Sequence, residues 1–273
     1  MSRGLGDVYK RQTQSGKPTF TEGDPNVPID EDTPATFEDG STTKTVDGEG
    51  TYTVSPDGTV TFVPEKSFTG TATGVTVKRV DKNGTEITAK YTPTVTPITV
   101  TPTDKVSADV QNVPQTQTPT FDLSNDKTAE ITSKKLVDPA TGQPTDETTV
   151  TVAGEGSYTI DPTTGAVTFT PEKDFVGTAK GVTVQATATI TNANGKTATI
   201  TSDATYTPTV VPAVPTANPA TSKDVQGATQ TGTPTFAGTT VQVNGEDKAI
   251  TIKDNSYTLL DKEGNEVSST PAY

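Results

Sequence analysis

An all-β chain of tandem β-sandwich-like repeat modules, joined by Thr/Pro-rich extended linkers, is what three features of this 273-residue sequence predict. Threonine occurs 61 times and valine 28, whereas leucine occurs five times and methionine once. β-branched side chains are stiff about χ1 and suit pleated strands, and good helix formers such as Leu and Met are nearly missing. Apolar residues alternate with threonine over short runs bounded by Pro, Asp, Asn and Gly, and the whole pattern recurs along the chain. One observation points toward disorder: Leu, Ile, Val and Phe together make 50 residues, or 18%, at a net charge of −13. The strict patterning of those residues favours order, since a disordered tail does not need it.

Taken in order, residues 1–12 match nothing in the repeats and read as a non-native or non-repeat leader. Repeat 1 spans 13–114 with a linker from about 96, repeat 2 spans 115–229 with a linker from about 211, and 230–273 is a truncated third repeat. The openings are QSGKPTF at Gln14 to Phe20, QTQTPTF at Gln115 to Phe121 and QTGTPTF at Gln230 to Phe236. GEGTYTV at Gly48 to Val54 matches GEGSYTI at Gly154 to Ile160, and VTFVPEKSFTGTATGVTV at Val60 to Val77 matches VTFTPEKDFVGTAKGVTV at Val167 to Val184. Each repeat closes on YTPTV, at Tyr91 to Val95 and Tyr206 to Val210. The offset between the copies grows from 106 to 115 residues, which places the length differences in turns.

Within a repeat, Tyr52 and Val54 alternate with Thr, as do Val60 and Phe62, around Ser55-Pro56-Asp57-Gly58, and this predicts a hairpin. Val75 and Val77, then Ile87, Ala89 and Tyr91, flank Asn83-Gly84 and predict a second hairpin closed by a type I′ turn, with Asn194-Gly195 doing the same in repeat 2. Pro93, Pro97 and Pro102, and Pro208, Pro212 and Pro215, cannot donate ladder hydrogen bonds and predict edge strands or polyproline-like connectors.

The chain contains no Cys and no His, which excludes the familiar Ser-His-Asp and Cys-His nucleophiles, N/S zinc sites and disulfides. The negative charge argues against a nucleic-acid partner, and no run approaches the ~18 apolar residues of a membrane span, so no membrane insertion is expected. The acidic cluster Asp24, Asp30-Glu31-Asp32 and Glu38-Asp39 lacks calcium-loop spacing and reads as a solvated loop. Lys66 or Lys173, in PEKSFTG and PEKDFVG, could enter an isopeptide crosslink, but the simpler reading is a polar turn leading Phe68 or Phe175 into the core. Gly48-Glu49-Gly50 and its copy lack the Lys-Ser/Thr of a phosphate loop and read as turns. No residue is a catalytic, cofactor-binding or metal candidate, and no cofactor or enzyme activity is expected.

The block at Gly48 to Val77 and the closing YTPTV resemble the repeat of CshA-type fibrillar adhesins of streptococci and related Gram-positive bacteria. The resemblance implies stalk repeats of a cell-wall-anchored adhesin on the extracellular surface, projecting an adhesive tip toward host or other microbes. It implies fibronectin as a host partner and peptidoglycan attachment through a C-terminal anchor, both through regions this sequence lacks. An alternative is that the repeats themselves bind a host protein such as fibronectin, or a glycan, through avidity. An exposed aromatic patch present in both repeats would support that alternative, and inward-pointing aromatics would count against it.

Overall fold

The computed structural model describes residues 13–267, and all regular structure among them is β. The expected leader at 1–12 lies outside the described residues. Repeat 1 contains β1 (Gln14–Gly16), β2 (Thr36–Phe37), β3 (Thr43–Val46), β4 (Gly50–Val54), β5 (Val60–Pro64), β6 (Gly70–Thr71), β7 (Val75–Val80), β8 (Glu86–Tyr91) and β9 (Thr94–Val95). An antiparallel sheet in the order β1-β5-β4-β3 faces a second, β2-β7-β8, with β6 and β9 as a short pair.

Period-two patterning decides which residues meet between the sheets. β4 buries Tyr52 and Val54 and β5 buries Val60 and Phe62, while the threonines between them turn outward. Tyr52 and Phe62 are cross-strand partners whose ring centroids lie 4.4 Å apart. Phe37, Val75 and Val77 close the core from the opposite sheet, so one apolar layer is shared by both.

Repeat 2 contains β10 (Val100–Thr103), β11 (Lys105–Val110), β12 (Gln115–Gln117), β13 (Thr120–Leu123), β14 (Ala129–Leu136), β15 (Thr149–Val152), β16 (Gly156–Ile160), β17 (Val167–Pro171), β18 (Gly177–Thr178), β19 (Val182–Thr191) and β20 (Thr197–Val211). Its sheets run β12-β17-β16-β15 and β11-β20-β19-β14, with β18 also against β20. Tyr158 and Phe169 reproduce the aromatic pair at 4.8 Å, within a core that includes Leu136, Val184 and Tyr206.

The structure differs from the expected linker. Residues 100–103 pair antiparallel with β13, and β11 runs parallel to Tyr206–Val211 of β20. Pro102 is tolerated because β10 belongs to a two-stranded sheet, where one side of the strand needs no donor. Pro208 also lies inside a strand, and its carbonyl accepts the Ala179 amide at 2.9 Å.

The turn expected as type I′ is also different. Asn83 and Asn194 are not at positive φ; only Gly84 (φ 80°) and Gly195 (φ 75°) are. The Gly84 amide donates to the Asp81 carbonyl and the Asp81 amide to the Thr85 carbonyl. This is a type I turn followed by a left-handed glycine, a three-residue hairpin loop. The Asp81 carboxylate stabilises it by accepting the Asn83 and Thr85 amides. A turn with both central residues at positive φ occurs instead at Asn244-Gly245, at 52° and 83°.

The extra residues of repeat 2 do not sit in its turns alone. Gly74 precedes Asp81 by seven residues, whereas Gly181 precedes Asn192 by eleven, and the return strand to Tyr206 is longer by the same four. β19 therefore has ten residues against six in β7. An even insertion per strand keeps every side chain on its original face, so the alternation of buried and half-buried positions continues unbroken through β19.

The third segment contains β21 (Thr216–Asn218), β22 (Thr235–Ala237), β23 (Thr239–Val243), β24 (Glu246–Ile250), β25 (Leu259–Leu260) and β26 (Glu266–Val267), as three two-stranded pairs. Phe236 and Tyr257 stack at 5.5 Å but remain 46% and 64% exposed.

Candidate functional site

The acidic loop of repeat 1 is organised by a cation that composition did not single out. Arg79 lies on the inward face of β7, only 5% exposed, and its guanidinium donates to the Glu31 carboxylate at 3.0 Å. Asp30 accepts the Thr33 hydroxyl at 2.5 Å and the Asp32 amide at 3.2 Å, and these bonds, the hydroxyl first, hold its carboxyl below the ordinary range. Asp24 accepts the Asn26 amide and Asp39 the Ser41 amide, both in local side-chain turns. Repeat 2 has Ala186 where repeat 1 has Arg79, so the arrangement is not shared. Among the described residues no cluster of acids is arranged to hold a metal ion.

The Gly-Glu-Gly element is a second use of acid. Gly48 (φ 76°) turns the chain, and a Cβ at Gly50 would sit 2.3 Å from the Val63 carbonyl oxygen, so only glycine fits between β4 and β5. That turn aims Glu49 at the Thr73 amide, 3.0 Å away, and at the Thr73 hydroxyl. The hydroxyl bond is the chief reason its carboxyl is held below the usual carboxylate range. Glu155 repeats the role, accepting the Lys180 amide at 2.9 Å while 8% exposed. The neighbouring Tyr52 phenol is pushed up to about 12, first by burial and then by the Glu49 charge. Both glutamates thus tie the end of one sheet to the start of the other.

Lys66 and Lys173 are exposed, and Phe68 and Phe175 pack on their respective cores. Repeat 2 also carries a polar seam: Tyr206 and Ser107 hydroxyls lie 2.8 Å apart, Ser107 donates to Gln115, and Gln115 donates to the Thr209 carbonyl at 2.9 Å. Gln14 makes the matching bond to the Thr94 carbonyl. Each of these groups serves a neighbour in its own repeat. Sequence reasoning missed Glu49, Arg79 and Gln115 because their partners lie 24, 48 and 94 residues away.

Residues 6–95, 97–210 and 212–272 each match the family described as the surface adhesin CshA repetitive domain. The chain belongs to this family. The first two matches take in the two two-sheet units, and the breaks at 96 and 211 fall beside the ends of β9 and β20. Repeat domain 13 of the fibrillar adhesin CshA from Streptococcus gordonii is 64% identical over 27% of this chain and 94% of that one, with a TM-score of 0.17. Cadherin-23 EC22-24 from mouse is 13% identical over 66% of this chain and 52% of that one, with a TM-score of 0.27. No curated protein matches the chain.

Proposed function

We propose that this chain is a run of stalk repeats from a cell-wall-anchored fibrillar adhesin, carrying an adhesive tip away from an extracellular bacterial surface. The observation that carries the reading is the use of the conspicuous side chains. In both complete repeats the aromatic pair is fully buried, Glu49 and Glu155 cap backbone amides, and Glu31 pairs with the buried Arg79. Large exposed aromatics occur in the third segment, as Phe236 and Tyr257, and not as a patch repeated in the two sandwiches. This weighs against the repeats as avidity-based binders of fibronectin or a glycan and favours a structural role. The strand grouping and the family matches support repeat boundaries near 96 and 211, with 100–110 assigned to repeat 2.

Binding of the purified chain to immobilised fibronectin and to a host glycan array tests this reading. A stalk gives no saturable signal on either surface. Saturable binding that strengthens with the number of repeats would replace the stalk with the avidity reading.

A further inference from the structure

The eight residues by which the repeat 2 hairpin exceeds its counterpart extend β19 and β20 by four residues each, about 13 Å at the rise of an antiparallel strand. The tip of this longer hairpin does not end in solvent. Asn192, at its corner, is 3% exposed, and its side-chain Nδ2 donates to the carbonyl of Pro64 in repeat 1 at 3.2 Å. The orientation of the amide is fixed by chemistry. Its Oδ1 accepts the Asn194 and Lys196 amides at 3.1 and 2.9 Å, so only the NH2 group is left to face repeat 1. Asn194 and Lys196 line the same small cleft as Thr45, Gly50 and Lys66 of repeat 1.

The duplicated sequence supplies an internal control. Pro64 is buried and Val63 half-buried, whereas the equivalent Pro171 and Thr170 of repeat 2 are half-buried and exposed. The position equivalent to Asn192 in repeat 1 is Asp81, which caps its turn in the same way through two backbone amides. A carboxylate has no NH2 to donate, and the hairpin that bears Asp81 is four residues shorter per strand.

We infer that the extended β19-β20 hairpin is an inter-repeat latch, in which Asn192 grips the Pro64 carbonyl of the preceding repeat and holds the two sandwiches in a fixed relative orientation. Two features define a repeat that latches: the lengthened hairpin and an amide, rather than a carboxylate, at its corner. Repeat 1 has neither, so stiffness in an array of such repeats is set junction by junction. The inference rests on this contact and stands apart from what the stalk presents or binds.

Residual dipolar couplings of the 273-residue chain, weakly aligned, read the latch directly. In the unaltered chain one alignment tensor fits the amides of both repeats. Asn192→Asp keeps the cap, as Asp81 does, and removes the donor; the shared tensor is then lost and each repeat requires its own, with chemical-shift changes confined to 190–197 and 63–66. A second variant lacking Ala186–Thr189 and the paired Thr199–Ser202 withdraws the tip while keeping every face in register, and it too loses the shared tensor. Separate tensors in the unaltered chain would overturn the latch, as would a shared tensor surviving Asn192→Asp. If Asn192→Asp instead unravels the hairpin tip, the shortened variant decides, and a shared tensor surviving there would overturn it.

Discussion

Phe62 and Phe169 are fully buried and each stacks on a tyrosine of the adjacent strand, so their removal leaves a cavity with little to collapse into it. Phe62→Ala or Phe169→Ala is expected to destabilise its own repeat by about 3–5 kcal/mol and to leave the other unchanged; repeat-resolved hydrogen exchange measures both at once. These positions were legible in the sequence because alternation with threonine marks the inward face. The glutamates were not, since nothing local distinguishes Glu49 from a solvated turn acid until Thr73 is brought alongside. Glu49 and Tyr52 together give repeat 1 a defined pH range. Glu49 has a folded pKa below its ordinary 4.5, so its contribution is present above that value and lost as pH falls through the lower folded pKa. Tyr52 is raised from 10.0 to about 12, so the neutral phenol favours the fold and that contribution disappears as pH climbs between those values. Melting of the chain against pH should therefore fall at both extremes, and Glu49→Gln should flatten the acidic limb; an unchanged limb would contradict the cap.

At the scale of strands and turns, the sequence located both hairpins of each repeat but mistook the geometry of one and the extent of another. Asn83-Gly84 resembles a two-residue turn, yet the Asp81 carboxylate anchors a longer loop in which only Gly84 requires positive φ. Gly84→Ala should cost about 1 kcal/mol by forcing a side chain into the left-handed region. Asn83→Ala should stay within about 0.5 kcal/mol, as an exposed substitution. Chemical denaturation of both variants checks the pair, and equal losses would point back to a two-residue turn. β11 was hidden for a different reason. Hairpin logic finds strands whose partners are close in sequence, and the partner of Lys105–Val110 is a parallel strand about a hundred residues further on. Proline and threonine around it then suggested a connector. The added residues of β19 and β20 look like turn insertions in the sequence because only their number, and not their symmetric division between two strands, is visible before the pairing is known.

For the molecule as a whole, a low apolar content is compatible with two cores because each sandwich packs a thin layer of valines around a small group of aromatic rings. The outer faces are given to threonine. Cross-strand hydroxyl pairs such as Thr149 with Thr159 at 2.9 Å and Thr116 with Thr168 at 2.8 Å line those faces in place of apolar contacts. The polar contacts between sheets and between repeats were not legible in the sequence, because each joins segments distant along the chain. Under the proposed boundaries, one repeat begun at β10 folds alone. The decisive measurement is a proton–nitrogen correlation spectrum of residues 97–212 beside that of 115–212. Dispersed amides for 97–212, with Lys105–Val110 protected from exchange and a lower melting temperature once 97–114 are removed, are the predicted result. Collapsed amides for 97–212, or spectra and melting indifferent to the missing segment, would contradict it.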